Sequence, residues 1–160
     1  MIDDEVKFIA IGLIILMMGV AAYPVLSANR VVEPFTELGV LGPNGKLGDY
    51  PRQVSTLDKV NLFLYVGNQE GSSQYYRVDV KVGDQDHNVS DVVPLEAPVI
   101  TSYELVLPNT ANSTTPMSFN VAFAGLNRRV VFELYRYDVD TGAFKYQLWT
   151  QLWMNVTSTG

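Results

Sequence analysis

QYYRVDVKV, residues 74–82, sets Tyr76, Val78, Val80 and Val82 against Tyr75, Arg77, Asp79 and Lys81 in strict alternation. That period of two predicts a strand with one apolar face and one wet face, the mark of an antiparallel sheet covered on one side. Working outward, the same grammar recurs between turn residues. EPFTELGVL (33–41) reads as a first strand closed by Gly42-Pro43-Asn44-Gly45, and the run from Gln53 to Val66 puts Val60, Leu62, Leu64 and Val66 on one face. Asn68 to Ser73 and Gly83 to Asp91 read as loops. Further strands are predicted at Thr101–Leu107, at Met117–Ala124 with Phe119, Val121 and Phe123 inward, and at Arg129–Tyr137 with Val130, Phe132 and Leu134 inward. After a turn at 138–142, Phe144, Tyr146, Leu148, Leu152, Met154 and Val156 share one parity over 13 residues, a long final strand. Seven or eight such strands predict an all-β fold, an immunoglobulin-like antiparallel β-sandwich. The chain has no Cys, so the Cys-Trp-Cys core of a true immunoglobulin domain is not implied.

One segment breaks this grammar. FIAIGLIILMMGVAAYPVL, from Phe8 to Leu26, holds 19 residues without a charge. As a helix at about 1.5 Å per residue it reaches roughly 28 Å, the thickness of a hydrocarbon core. A cleaved signal peptide would want a basic start and a shorter run, whereas Asp3-Asp4-Glu5 precede Lys7 here and Leu26-Ser27-Ala28 is a weak cleavage site. The expected organisation is a short cytoplasmic N-terminus (1–7), a transmembrane helix (8–27) and an extracellular β-sandwich (28–160). Lys7 against Arg30 does not orient the helix by the positive-inside rule. Three sequons beyond it, at Asn88, Asn112 and Asn155, are expected glycosylation sites and favour an external sandwich on a single-pass cell-membrane protein. Asn112, in the polar Pro108–Pro116 loop, reads as the best acceptor. Gly12, Gly19 and Ala22 form a narrow stripe of small residues where another helix could pack, although glycine is common in membrane helices anyway.

Composition limits the chemistry. Seventeen acidic against eleven basic residues, net charge −6, make phosphate backbones poor partners, so no nucleic acid is expected. Without Cys and with His87 as the sole imidazole, thiolate zinc sites, iron–sulfur clusters, cysteine nucleophiles and any catalytic or metal centre that needs two imidazoles lack their parts. Asp84, Asp86, Asn88 and Asp91 gather oxygen ligands that a hard cation would want. The EF-hand template nevertheless fails, with Val89 where Gly is required and Leu95 where the bidentate Glu belongs. Solvated turns explain both this loop and 138–142, so no metal and no cofactor is expected, with those four residues as weak candidates. Carboxylate pairs such as Glu33 and Glu37, or Glu96 and Glu104, lack the spacing of a paired acid and base, and no catalytic residue is assigned. Trp149 and Trp153 fall on the parity opposite the apolar row of the last strand. They read as a partner interface, or else as packed under loops of their own domain.

Glu33-Pro-Phe-Thr-Glu-Leu-Gly-Val-Leu-Gly-Pro-Asn-Gly-Lys46, then Gly48-Asp-Tyr-Pro51, then a strand ending in Gly67-Asn-Gln-Glu70, form a specific set. Over roughly residues 33–82 the chain resembles a family of predicted archaeal membrane proteins that carry a domain of unknown function (domain of unknown function 1616). Many members look multi-spanning, whereas this chain has one helix. The resemblance implies archaeal origin, membrane attachment and an Ig-like external domain, and it carries no catalytic residues.

The expected function is that of a non-enzymatic, single-span surface protein, a structural or accessory subunit of a membrane or cell-envelope complex. Its partners would be other envelope subunits or itself, with the lipid bilayer held through Phe8–Leu26. Two alternatives stand beside it. One is a module binding calcium or glycan through Gly83–Asp91; the other is a self-assembling filament or surface-layer anchor in which the last strand adds to a neighbouring sheet.

Overall fold

The N-terminal apolar run forms one helix, α1 (Asp4–Ser27), in a computed structural model that describes residues 4–27 and 33–158. Its window Val6–Tyr23 has a mean hydropathy of 2.2 and no residue buried, so the chain has one N-terminal helix long and apolar enough to span a membrane. Gly12, Gly19 and Ala22 lie on it, and a Cβ built at either glycine meets no atom within 4 Å. Asn29 and Arg30 fall outside the described residues.

The second unit is built of eight strands in two sheets. They are β1 (Phe35–Leu41), β2 (Gln53–Ser55), β3 (Lys59–Gln69), β4 (Gln74–Gly83), β5 (Val99–Leu107), β6 (Asn112–Asn120), β7 (Gly125–Asp138) and β8 (Ala143–Thr157). One sheet has the order β1-β3-β6 and the other β2-β8-β7-β4-β5. The predicted inward faces meet between them. Val60, Leu62, Leu64, Val66, Met117 and Phe119 of the smaller sheet pack on Tyr76, Val78, Val80, Val130, Phe132 and Leu134 of the larger. Phe119 and Phe132 touch edge to face across the gap, with ring centroids 6.1 Å apart.

The Gly42–Lys46 turn closes β1 as its residues predict. Gly45 N donates to Gly42 O at 2.9 Å and Gly42 N to Lys46 O at 2.8 Å. A Cβ on Gly42 would lie 2.0 Å from the Gly48 carbonyl oxygen, so Gly42 cannot be replaced without moving backbone, whereas Gly45 has room for a side chain but holds a φ of 69° that strains most of them. Tyr50, of the following Tyr-Pro, donates its hydroxyl to Val40 O at 2.8 Å and pins the loop back on β1.

Five expectations are corrected. The sheets are not wholly antiparallel, because the Gln53–Val66 run breaks at residues 56–58 and its first piece, β2, crosses to the other sheet to pair parallel with Asn155–Thr157. Asn68 does not open a loop; it ends inside β3, fully buried. PNTANSTTP (108–116) is a turn only over 108–111, since β6 starts at Asn112, which pairs with Gly67, and the strand ends at Asn120. That displacement leaves Phe123 beyond the strand and 56% exposed. The second face of β4 is not wet: Lys81 is 8% exposed because segment 84–98 folds back over it, and Asp79 is 4% exposed between Arg77 and Ser102. Last, the single parity of β8 is broken by a bulge, where Leu134 opposes Leu148 but Tyr135 opposes Tyr146. The extra residue, Gln147, swaps the faces, so Phe144 and Tyr146 point outward while Leu148, Leu152, Met154 and Val156 serve the core.

Candidate functional site

The outer face of the larger sheet carries the densest chemistry of the molecule, and it is organised by cations laid on aromatic rings. On β4, the Arg77 guanidinium lies over Phe144 at 4.5 Å and Tyr135 at 5.0 Å, and its Nε forms an ion pair with Asp79 Oδ1 at 3.2 Å without the geometry of a hydrogen bond, while Asp79 Oδ1 accepts from Ser102 Oγ at 2.7 Å. Around it Tyr75 and Tyr137 each meet Phe144 edge to face and lie tilted against one another, and Tyr135 packs on Tyr146.

On β7, Arg129 does the same for the two tryptophans. Its guanidinium sits 5.2 Å from the Trp149 ring and 5.5 Å from the Trp153 ring, donates through NH1 to His87 O at 2.8 Å, and bonds through Nε to Gln151 Oε1. Trp149 and Trp153 therefore do share the outer face, as their parity predicts. Trp149 is half-buried and Trp153 is 41% exposed. Ser at Trp153 is expected to change stability by less than about 1 kcal/mol, whereas Ser at Trp149 is expected to cost about 2 kcal/mol, because a half-buried aromatic forfeits part of the 3–5 kcal/mol of a full truncation. Thermal melts of the two single variants check the order.

Between these clusters lies a buried ion pair. Lys81 Nζ is 2.9 Å from Glu133 Oε2 and donates to Leu95 O at 2.8 Å; Glu133 also accepts from Leu95 N and, at 2.7 Å, from Tyr135 OH. Leu95 is 1% exposed and plugs the site. Burial, and then the bond to Glu133, push the Tyr135 phenol well above its ordinary value, and burial raises Tyr146 to about 12. Tyr146 OH in turn donates to Ser90 O at 2.7 Å, so segment 84–98 is held to the sheet at Leu95, His87 and Ser90.

A second polar network gathers the end of β1, the β3–β4 loop and β7. Thr36 Oγ1 donates to Glu70 Oε1 at 2.7 Å and sits 3.0 Å from Tyr76 OH; Tyr76 OH reaches Asn68 Oδ1 at 3.2 Å, and Arg136 NH1 contacts Glu70 Oε2 at 2.5 Å. Beside it opens a cleft of about 300 Å³ lined by Glu70, Gln74, Arg136, Asp138, Lys145 and Gln147. Lys145 bonds the Asp138 carboxylate and, with the backbone amides of Thr141 and Asp140, holds it down to about 2. Arg136 and Lys145 are each matched by a carboxylate, Glu70 and Asp138, and Asp140 in the lining leaves one carboxylate over.

The weak metal candidates are not brought together. Asp84 Oδ1 accepts from His87 Nδ1 at 2.5 Å and from Asp86 N at 3.1 Å, and its Oδ2 lies 3.9 Å from Arg128 NH1. The bond from His87 lowers the Asp84 carboxyl below its usual range. Among the described residues no three His, Cys, Asp or Glu side chains converge as a metal would require. Of the sequons, Asn88 and Asn112 are exposed, whereas Asn155 is half-buried and accepts from Asn127 N at 2.9 Å.

Sequence reasoning missed Arg77, Arg129, the Lys81–Glu133 pair and the Glu70–Arg136 pair. The signal existed: Asp79 and Lys81 alternate with valines, and Glu133 stands between Phe132 and Leu134, charges that only a covered second face would bury.

A family model described as "Domain of unknown function (DUF1616)" matches residues 30–155. The comparison with curated proteins found no match. Among solved structures, the chain is similar to one chain of the complex of Zinc 2-glycoprotein and prolactin-inducible protein from human seminal plasma (TM-score 0.49, 12% identity, 81% of this chain and 99% of that one). It is also similar to the CARDB domain of a Pyrococcus furiosus protein in complex with di-metal ions (TM-score 0.48, 10% identity, 78% and 90%). A third similarity is to a Listeria innocua beta-glucosidase (TM-score 0.44, 7% identity, 76% of this chain and 16% of that one).

Proposed function

The chain belongs to the family of the domain of unknown function DUF1616, and from that premise we propose that it is a non-enzymatic, single-span membrane-anchored surface protein. Its β-sandwich serves as a structural or accessory subunit of an archaeal membrane or cell-envelope assembly. The observation that carries this reading is the aromatic and guanidinium face of β4, β7 and β8, which ends in the exposed Trp153 on a strand lacking charge from Tyr146 to Thr157. Aromatics and Arg over an uncharged patch are what protein interfaces enrich. The uncharged stretch of α1 from Phe8 to Leu26 supports the anchor. The exposed Asn88 and Asn112 support an external sandwich and a cytoplasmic N-terminus, and the motif Glu33–Glu70 supports the archaeal setting.

The strand order supports an immunoglobulin-like sandwich. First, third and sixth strands lie in one sheet, while fourth, seventh and eighth lie adjacent in the other, the A-B-E and C-F-G arrangement of that fold. Here the extra β2 flanks the last strand and β5 takes the edge beside β4.

Extraction of the full chain from its native membrane in a mild detergent, followed by mass measurement, tests the reading. We expect a species larger than one 17.8 kDa chain, and glycan mass on Asn88 or Asn112. A lone monomer with no companion chain overturns the proposal.

A further inference from the structure

β8 pairs with β7 along its whole length, but on its other side β2 covers only Asn155–Thr157. The backbone bonds there fix which groups face that side. Asn155 N donates to Arg52 O at 2.8 Å and Thr157 O accepts from Thr56 N at 3.0 Å. Odd-numbered residues of β8 therefore direct N–H and C=O toward the β2 edge. β8 keeps its alternation from Leu148 to Val156, since Leu148, Leu152, Met154 and Val156 all serve the core and the second register shift, between Gly125 and Arg128, adds its residue to β7. Trp149, Gln151 and Trp153 thus present their main-chain donors and acceptors along an edge that no described strand occupies. The remaining edges of the sandwich are guarded in ways this one is not. β6 carries Pro116 in its middle, β5 carries Glu104 and faces a bulge at Val80 and Lys81, and β1 carries Glu37. The window of β8 from Leu148 to Met154 has no charge, no Pro and no Gly.

We propose that this open edge takes the same strand of a second copy of the chain, antiparallel, about a two-fold axis at Thr150. The reading deepens the subunit proposal and rests on it for the membrane setting, naming the partner as the chain itself. Two features favour the second copy over a foreign strand. First, residues 147–153 read QLWTQLW, so pairing about Thr150 sets Leu148 opposite Leu152 of the other copy and Trp149 opposite Gln151, apolar on the core side and aromatic against amide on the outer side. Second, each chain carries a net charge of −6, yet no charged residue lies between Tyr146 and Thr157, so two copies meet here without bringing like charges together. Trp149 and Gln151 of each copy exchange their free main-chain hydrogen bonds, and Thr150 meets its own copy as the close, non-hydrogen-bonded pair. In this register β2 of the other copy, which occupies the edge from Asn155 on, passes opposite Lys145, beyond the bulge. The interface is isologous and closes at two, which separates it from a filament.

The chain has no Cys, which makes the test clean. A non-hydrogen-bonded antiparallel pair holds its Cα atoms about 4.5 Å apart, within the range a disulfide spans. Full-length Thr150→Cys, oxidised mildly in native membranes, is expected to form a covalent dimer that a thiol reductant reverses, while Ser102→Cys on the β5 edge forms none. Adding Gln151→Lys to Thr150→Cys brings two ammonium groups together beside the axis and is expected to abolish the cross-link. Absence of the Thr150→Cys dimer overturns the proposal, as does equal cross-linking at Ser102→Cys or in the presence of Gln151→Lys. If the Thr150→Cys chain stays uncross-linked yet co-purifies with a different chain, this inference fails while the subunit reading survives.

Discussion

Glu133→Ala is expected to destabilise the chain by about 3–5 kcal/mol, because it leaves the Lys81 ammonium buried with one partner, the Leu95 carbonyl. The same change strips Leu95 N and Tyr135 OH of their acceptor. Leu95 is the residue that seals segment 84–98 on the sheet, so the loss also loosens the cover beside Trp149 and Arg129. Removing both charges tells desolvation apart from packing. The pair Lys81→Met with Glu133→Leu fills similar volume without a buried charge and is expected to recover only the part due to the unpaired ammonium, because Leu95 N, Leu95 O and Tyr135 OH still lack their partners. Denaturant unfolding of the full-length protein in detergent, read by tryptophan fluorescence, measures both variants. A cost for Glu133→Ala below about 1 kcal/mol would show that the charges are solvated and that the segment does not seal them.

Asn68→Ala is expected to cost about 4 kcal/mol, and for a different reason. Asn68 is fully buried at the end of β3 and uses its whole amide: Nδ2 donates to Leu107 O at 2.8 Å and Ser72 O at 2.9 Å, while Oδ1 accepts from Glu70 N at 3.0 Å and Tyr76 OH at 3.2 Å. Truncation takes the side-chain donor from the buried Leu107 carbonyl and the acceptor from Glu70 N, and leaves the Tyr76 hydroxyl with Thr36 Oγ1 alone, at about 1–3 kcal/mol for each group left unsatisfied. Asn68→Asp keeps the shape but turns a carboxylate on two carbonyl oxygens, so it is expected to cost at least as much at neutral pH. Asn112→Ala, at an exposed side chain on the edge strand β6, serves as the control and should change little. Equal melting temperatures for Asn68→Ala and Asn112→Ala would remove Asn68 as the joint between β3, β5 and the β3–β4 loop.

The motif that carries the family resemblance acquires a physical meaning in this light. Gly42 and Gly45 are there for a turn that has no room for a Cβ or needs a left-handed backbone, and Tyr50 ties that turn to β1. Thr36, Asn68 and Glu70 converge with Tyr76 and Arg136 at the other end of β1. Most of this motif builds the sandwich, and its Glu70 end borders the cleft beside Arg136.

Periodicity and local turn chemistry were enough to place α1, the alternating apolar faces of β3, β4 and β7, the Gly42–Lys46 turn and the hairpin at 138–142. Each is decided within a few residues, by side-chain spacing or by glycine φ, and so is written into contiguous sequence. The outward placement of Trp149 and Trp153 was legible for the same reason. What they face was not, because Arg129 reaches them from the neighbouring strand. Only the tertiary structure decided the crossing of β2 to pair parallel with β8, the flip of faces at Gln147 and the burial of Asp79, Lys81 and Glu133. A bulge adds one residue to one strand and leaves no mark in its own alternation until the partner strand is laid beside it. A charge on a strand reads as solvated unless a distant segment covers it, and here residues 84–98 supply that cover for Lys81 and Glu133, with Leu95 meeting Glu133 from 38 positions away.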